Sequence, residues 1–252
     1  MSSASPASRA GARTPSPASR LVLWNIDHTL VDVGRVMREA YAEAFQEVTG
    51  CPLVSLAPAA GRTDSEVIFE TLARNGIEPT DHHLPEFTDA LAAALGARRE
   101  ELRRYGRALP GAEQALAALA RIPDVVQSVL TGNIQPNALV KLETFGLARY
   151  LDVEIGGYAS ETFPKATLVE VARQRAAVTY GDGVREGPTV VIADSIRDVA
   201  AAHIGGAAIV AVASGRSTEA ELAAEGADVV LPNLRETEEL TRSVMDLTRV
   251  RR

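Results

Sequence analysis

The chain has 252 residues, of which 46% are hydrophobic and 23% are charged, as expected for a globular protein with a buried core. Its 33 acidic and 26 basic side chains give a net charge of −7, which argues against a general nucleic-acid or polyanion binder. Only two of the basic residues are lysines, Lys141 and Lys165. In a chain that otherwise uses arginine, a retained lysine is a candidate for a specific role.

Cysteine content and hydropathy indicate the cellular compartment. Cys51 is the single cysteine, so no internal disulfide can form and we expect a reducing, cytoplasmic environment. No apolar run is long enough to span a membrane, and the four scattered histidines have no zinc-site spacing. Residues 1–20 are mostly Ser, Ala, Pro and Arg, which predicts a disordered tail and not a secretory signal. We expect neither a nucleic-acid nor a membrane partner.

The first half of the chain predicts one strand followed by helices. The apolar run over residues 21–26 is typical of a buried strand. Apolar residues then recur at helical spacing over residues 36–48, 65–74 and 84–105. Lys141 lies further on, within a predicted helix, where the pattern gives it no functional role. Residues 34–107 are therefore expected to form an all-helical segment.

From residue 109 onward the pattern alternates between strands and helices. Strands are predicted over residues 125–130, 153–155, 189–193, 208–212 and 229–231. Helices are predicted over residues 111–120, 136–145, 165–177 and 218–224, from residue 196, and from about residue 235. This alternation predicts an α/β domain with a parallel sheet covered on both faces.

Polar residues that could carry chemistry follow three of the predicted strands. Ligands of open α/β sheets bind at the carboxyl ends of the strands, where this chain places Asn25, Asp27, Thr131, Gly132, Asp194 and Asp198. Clustered carboxylates repel one another unless a cation joins them, and hard oxygen ligands suit Mg²⁺. The threonine hydroxyl, the glycine amide and the ammonium of Lys165 are suitable donors to a phosphoryl group. The pattern therefore predicts a Mg²⁺-assisted phosphoryl-transfer site.

Four short motifs in this order resemble those of the haloacid dehalogenase superfamily. The run from Asn25 to Asp32 is similar to the first motif, usually D-x-D-G-T, and Thr131-Gly132-Asn133 resembles the second. Lys165 fits the third motif, and Asp194 with Asp198 fits the fourth, D-x-x-x-D. The resemblance implies a Rossmann-like core formed by residues 21–33 and 108–252. It also implies a helical cap of the C1 type formed by residues 34–107.

The resemblance implies a role for each matching residue. Asp27 would be the general acid and base, and Thr131, Gly132 and Lys165 would bind the phosphoryl group. Mg²⁺ would be held by residues of the first and fourth motifs: Asn25, Asp27, Asp194 and Asp198. The runs Gly61-Arg62-Thr63-Asp64 and Leu109-Pro110-Gly111 resemble the phosphoglycolate phosphatase and β-phosphoglucomutase group. In the cap, Arg62 and Thr63 would contact the leaving group of a small phosphorylated metabolite.

Position 25 departs from the family pattern, because asparagine stands where the nucleophilic aspartate is expected. A neutral amide is a poor nucleophile, so no aspartyl-phosphate can form. Its oxygen could still ligate Mg²⁺, though less strongly than a carboxylate. The asparagine is either an introduced change that traps a complex or a natural replacement.

We therefore expect a Mg²⁺-dependent phosphatase with impaired turnover, or alternatively a non-catalytic protein of the same fold that binds a phosphorylated ligand. The substrate and the oligomeric state are left open. A dinucleotide-dependent dehydrogenase is excluded because residues 25–32 contain no glycine. The chain also has no P-loop and no G-x-S-x-G elbow, which excludes those classes of hydrolase. A receiver domain would lack the helical segment.

Overall fold

The computed structural model describes residues 20–159 and 164–249. Its strands are β1 (Arg20–Trp24), β2 (Val31–Asp32), β3 (Arg107–Ala108), β4 (Val125–Thr131), β5 (Gly157–Tyr158), β6 (Thr189–Ala193), β7 (Ala208–Val212) and β8 (Val229–Leu231). Six of these form a parallel sheet in the order β5-β4-β1-β6-β7-β8. The predicted α/β fold class is confirmed.

Both faces of the central strand are buried. Val22 and Trp24 belong to one apolar cluster, and Leu21 and Leu23 belong to the other. This follows from the two-residue period of a strand, and it explains why residues 21–24 are all apolar. The covering helices are α5 (Ala112–Leu119), α6 (Gln135–Thr144), α7 (Thr167–Tyr180), α8 (Asp182–Glu186), α9 (Ile196–Ile204), α10 (Glu219–Ala224) and α11 (Thr237–Leu247).

Between β2 and β3 lies a helical segment, called the cap segment below. It contains α1 (Gly34–Thr49), α2 (Asp64–Arg74), α3 (His83–Ala97) and α4 (Arg99–Tyr105). The chain leaves and re-enters the sheet domain through an antiparallel ribbon that pairs Val31 with Ala108 and Asp32 with Arg107. The sequence pattern did not predict this ribbon, because two residues per strand are too few to show a period. The ribbon lies at the expected limits of the cap, and the division into domains stays a prediction.

Several element predictions need correction. Residues 153–155 form a 3₁₀ helix and not a strand, because the side chain of Asp152 accepts a hydrogen bond from the Glu154 amide and starts a turn there. The helix predicted over residues 84–105 is two helices separated at Arg98. Lys165 lies just before α7, and α8 was not predicted.

Residues 1–19 of the expected tail lie outside the described residues, and Arg20 already belongs to β1. Within the described ranges, no helix is both long and apolar enough to cross a membrane.

Candidate functional site

The carboxyl ends of β1 and β6 bring three of the predicted site residues into contact. The amide nitrogen of Asn25 donates to Asp194 Oδ1 at 3.0 Å and to the Asp27 carbonyl at 2.9 Å. Its amide oxygen accepts a hydrogen bond from Lys165 Nζ at 3.0 Å. Asn25 is 7% exposed, so its amide is placed by these neighbours and not by solvent. The orientation follows from their chemistry: the lysine only donates, and the carbonyl and the ionised carboxylate only accept.

A tight turn after β1 presents Asp27 to the site. His28 has φ of 61°, and it is the one described residue other than glycine with a left-handed backbone. The turn is held by its main chain, because the amides of Leu30 and Val31 both donate to the Ile26 carbonyl. Left-handed backbone costs a non-glycine residue roughly 1–2 kcal/mol. This cost explains why glycine is usual at position 28 in the motif that the chain resembles.

Asp198 is joined to Lys165 and not to the other acids. Lys165 Nζ donates to Asp198 Oδ1 at 2.6 Å, and Ser195 Oγ donates to Asp198 Oδ2 at the same distance. Lys165 is 6% exposed and Asp198 is 2% exposed, so the two charges form a buried ion pair. Lys165 thus connects Asn25, which follows β1, with Asp198 in the first turn of α9.

The second lysine also lies in the site, which corrects the expectation that Lys141 has no role there. Lys141 Nζ contacts both carboxylate oxygens of Asp27, at 2.8 and 2.7 Å, and Asn133 Oδ1 at 2.5 Å. It is 1% exposed although it lies on α6. The scarcity of lysine in the chain was the one sequence signal that could have identified it. Asn133, which the second motif includes without a predicted role, donates its amide nitrogen to Asp27 Oδ2 at 2.7 Å.

The pKa values of Asp27 and Asp194 are shifted in opposite directions by their surroundings. Burial raises the pKa of Asp27, but the charge and hydrogen bonds of Lys141 and the hydrogen bond of Asn133 outweigh it, so this pKa is lowered. Burial and the neighbouring Asp198 raise the pKa of Asp194 to about 6, although Thr29 donates to it at 2.8 Å. Asp27 is therefore held as a carboxylate, while Asp194 can take up a proton near neutral pH.

The four groups expected to hold Mg²⁺ do not fit that ion as they are arranged. The Asp27 carbonyl and the Asp194 carboxylate converge on the amide nitrogen of Asn25, which is a hydrogen-bond donor and cannot ligate a cation. Turning the amide over would point its NH₂ group at the Lys165 ammonium. Asp198 is bound to that same ammonium. Within residues 20–159 and 164–249, no group of three or more His, Cys, Asp or Glu side chains is placed to hold a metal ion.

The residues of the predicted second motif occupy different positions. Gly132 lines the cavity of the site, whereas Thr131 is fully buried and its hydroxyl accepts a hydrogen bond from the Asn133 side chain at 2.6 Å. A Cβ on Gly132 would lie 2.0 Å from the Arg62 carbonyl, so only glycine lets the cap segment come this close. The phosphoryl-binding role of Thr131 stays a prediction.

In the cap segment, the structure gives Arg62 and Thr63 structural contacts. Thr63 is fully buried and caps α2 in a reciprocal hydrogen-bond pair with Glu66, so its predicted contact with a leaving group is corrected to a helix cap. Arg62 lines the cavity, but its guanidinium is bound by Glu70 and by the Pro58 carbonyl.

Asp64, which the sequence reasoning missed, joins the cap segment to the sheet domain. Its carboxylate accepts from Tyr41 Oη at 2.6 Å and from the Ile134 amide at 2.8 Å. Its own amide donates to the Gly132 carbonyl at 2.6 Å. The bonds to Ile134 and Gly132 join the cap segment to the sheet domain beside the site, and the bond from Tyr41 fixes the carboxylate within the cap segment.

A cavity of about 580 Å³ lies between the cap segment and the sheet domain. Its polar end is formed by Asn25, Asp27, Lys141, Lys165 and Asp194. Its other walls come mainly from α1 and from residues 54–62 of the cap segment. The volume lies within the range of small-molecule sites.

Comparison with known proteins points to one family. The model of the family described as haloacid dehalogenase-like hydrolase matches residues 22–203. A phosphoglycolate phosphatase from Cupriavidus necator is 29% identical over 216 residues, covering 84% of this chain and 89% of the relative.

Two solved structures share the fold. A hydrolase from Pseudomonas syringae has a TM-score of 0.64 at 21% identity, covering 88% of this chain and 96% of its own. A family IA, variant 3 hydrolase from Entamoeba histolytica has a TM-score of 0.66 at 18% identity, covering 90% and 99% respectively.

Proposed function

The chain belongs to the haloacid dehalogenase-like hydrolase family, and we propose that it is a phosphatase-type member that binds a small phosphate ester and hydrolyses it very slowly or not at all. The Cupriavidus necator relative supports the phosphatase type. The observation that carries the proposal is Asn25, which stands at the nucleophile position with its amide between Lys165 and Asp194.

The amide accounts for the slow turnover. An amide oxygen that accepts a hydrogen bond from an ammonium has little nucleophilic character, and loss of a nucleophile costs on the order of 10⁶ in kcat. Asp27 adds to this effect, because Lys141 binds both of its carboxylate oxygens and keeps it ionised. An ionised Asp27 can accept a proton but has none to give to a leaving alkoxide. Both chemical roles of the first motif are therefore weakened.

The asparagine at position 25 makes the site less repulsive towards an anion than an aspartate would. Asp27, Asp194 and Asp198 carry three negative charges against the two positive charges of Lys141 and Lys165. An aspartate at position 25 would add another negative charge, so the asparagine reduces repulsion of a phosphate dianion. Among the described residues, Lys165 donates to two groups, Asn25 and Asp198. An ammonium has three donors, and we propose that the third binds a phosphoryl oxygen.

We propose Mg²⁺ as the cofactor of the Asn25→Asp form and not of the native chain. In that variant the NH₂ group becomes an oxygen, which lies beside the Asp27 carbonyl and the Asp194 carboxylate. Three oxygens at this spacing repel one another unless a cation joins them. The ion would supply charge neutralisation for the phosphoryl group.

Hydrolysis assays of the native chain and of Asn25→Asp with Mg²⁺ test the proposal. The substrates are p-nitrophenyl phosphate and a panel of phosphate esters, and the native chain should be inactive or nearly so. The variant should hydrolyse at least one ester, and adding Asp27→Asn to it should abolish that activity. Asn25→Ala is the matched control, because it removes the amide group without adding a nucleophile.

If Asn25→Asp stays inactive while the native chain still binds phosphate esters, the phosphatase-type assignment is wrong and the chain is a non-catalytic binding protein. If the native chain turns over esters as fast as the variant, the role of Asn25 is wrong.

A further inference from the structure

Part of the cavity wall is apolar. Every residue from Val54 to Ala60 lines the cavity, and six of these seven residues are apolar. Met37 of α1 continues the same wall. Asn25 and Lys165 line the same cavity. One cavity thus combines charged groups with a largely apolar stretch of wall, and four arginines also line it: Arg38, Arg62, Arg74 and Arg216.

Val54 is the exposed part of this wall, whereas Ala57 is 3% exposed and belongs to the apolar core. The Val54 side chain is 88% exposed, which makes it one of five large apolar residues exposed among the described residues. The other four are Tyr105, Val178, Ile196 and Ile204, and none of them lines the cavity. A single exposed valine is ordinary, but an exposed valine continuous with other apolar residues of a binding cavity indicates a ligand contact.

The wall is held rigidly by its backbone. The amides of Val54 and Ser55 donate to Asn75 Oδ1 at 2.9 and 3.0 Å, and Asn75 Nδ2 donates back to the Ser55 carbonyl at 2.8 Å. The Ala57 amide donates to Thr71 Oγ1 at 3.1 Å. Because side chains of α2 and its cap satisfy these polar groups, residues 54–60 keep their shape without a strand or a helix. A preformed wall reduces the entropy lost when a ligand binds.

We propose that the ligand is a phosphate monoester with a bulky apolar organic group, such as an aryl group, bound with its phosphate at Lys165 and its apolar part against residues 54–60. This inference rests on the proposed function and adds the class of substrate. A two-carbon ester such as 2-phosphoglycolate would leave the wall in contact with water. Each methylene that the wall buries adds roughly fourfold to the affinity.

Titration calorimetry on the native chain tests the inference, because the unreactive site leaves the ligands intact. The probes are 1-naphthyl phosphate, 2-phosphoglycolate and inorganic phosphate. We expect 1-naphthyl phosphate to bind at least about tenfold more tightly than the other two. Val54→Ser should weaken 1-naphthyl phosphate by roughly threefold to tenfold and leave inorganic phosphate unchanged.

Val178→Ser is the matched control, because Val178 is also a valine on the surface, 89% exposed, and lies outside the cavity. It should leave the binding of all three probes unchanged. Equal or tighter binding of 2-phosphoglycolate would overturn the inference and leave the proposed function standing, as would an equal loss of inorganic phosphate in Val54→Ser. If none of the probes binds, the proposed function fails as well.

Discussion

Replacing Lys141 by methionine removes the ammonium that contacts both carboxylate oxygens of Asp27, at 2.8 and 2.7 Å. Deleting one partner of a buried ion pair costs roughly 3–5 kcal/mol, because the other charge stays behind without compensation. The Asp27 side chain is 33% exposed and keeps part of its hydration. We therefore expect the free energy of unfolding to fall by about 3 kcal/mol, the low end of that range.

Removing the other partner of this ion pair should lower the free energy of unfolding further. Asp27→Asn leaves an ammonium that is only 1% exposed, so the loss should approach about 5 kcal/mol. The double variant removes both charges, and its loss should be smaller than the sum of the single losses by roughly 1–3 kcal/mol. Urea unfolding at neutral pH measures all three, with the single tryptophan, Trp24, as the fluorescence probe.

Arg107 and Asp32 provide the matched control. Their ion pair has a similar distance, 2.7 Å, but the two side chains are 69% and 36% exposed. Arg107→Met should therefore cost at most about 1 kcal/mol. The reasoning is refuted if Lys141→Met costs no more than Arg107→Met, or if Asp27→Asn costs less than Lys141→Met.

Three further predictions concern the Asn25 amide, the carboxyl group of Asp64, and the contact of Gly132 with the cap segment. Asn25→Asp should bind Mg²⁺ at least about tenfold more tightly than the native chain in calorimetry, because it places an oxygen where the NH₂ group stands; equal affinities would contradict this. Burial raises the pKa of Asp64, so the folded state holds its proton to higher pH than the unfolded state. The native chain should therefore lose stability as the pH rises above about 4 towards that pKa, and Asp64→Asn should not show this loss in urea unfolding at several pH values. Gly132→Ala should weaken ligand binding several-fold, because its Cβ would lie 2.0 Å from the Arg62 carbonyl, whereas Gly96→Ala, with open space around it, should leave binding unchanged.

The alternation of strands and helices along the chain could be predicted because it depends on local patterns. Apart from Arg20 and Thr189 at their first positions, β1, β6 and β7 are apolar throughout, since both faces of a parallel sheet are covered. The same logic places Asn25 and Asp194 at one edge of the sheet, because the carboxyl ends of parallel strands meet there. Residues 153–155 were assigned wrongly because a three-residue apolar run has no period that separates a strand from a turn.

The sequence by itself determined the family, the α/β order, the position of the cap segment and the neutral amide at position 25, since each depends on residue identity and order along the chain. Only the tertiary structure decided that Lys141 binds Asp27, because the two residues are 114 positions apart and meet only in the folded chain. It also decided that Thr63 caps a helix, and that the Asn25 amide points its nitrogen at the Asp194 carboxylate and the Asp27 carbonyl. Hydrogen-bond direction depends on which donors and acceptors surround a group in space, and residue spacing carries no such information.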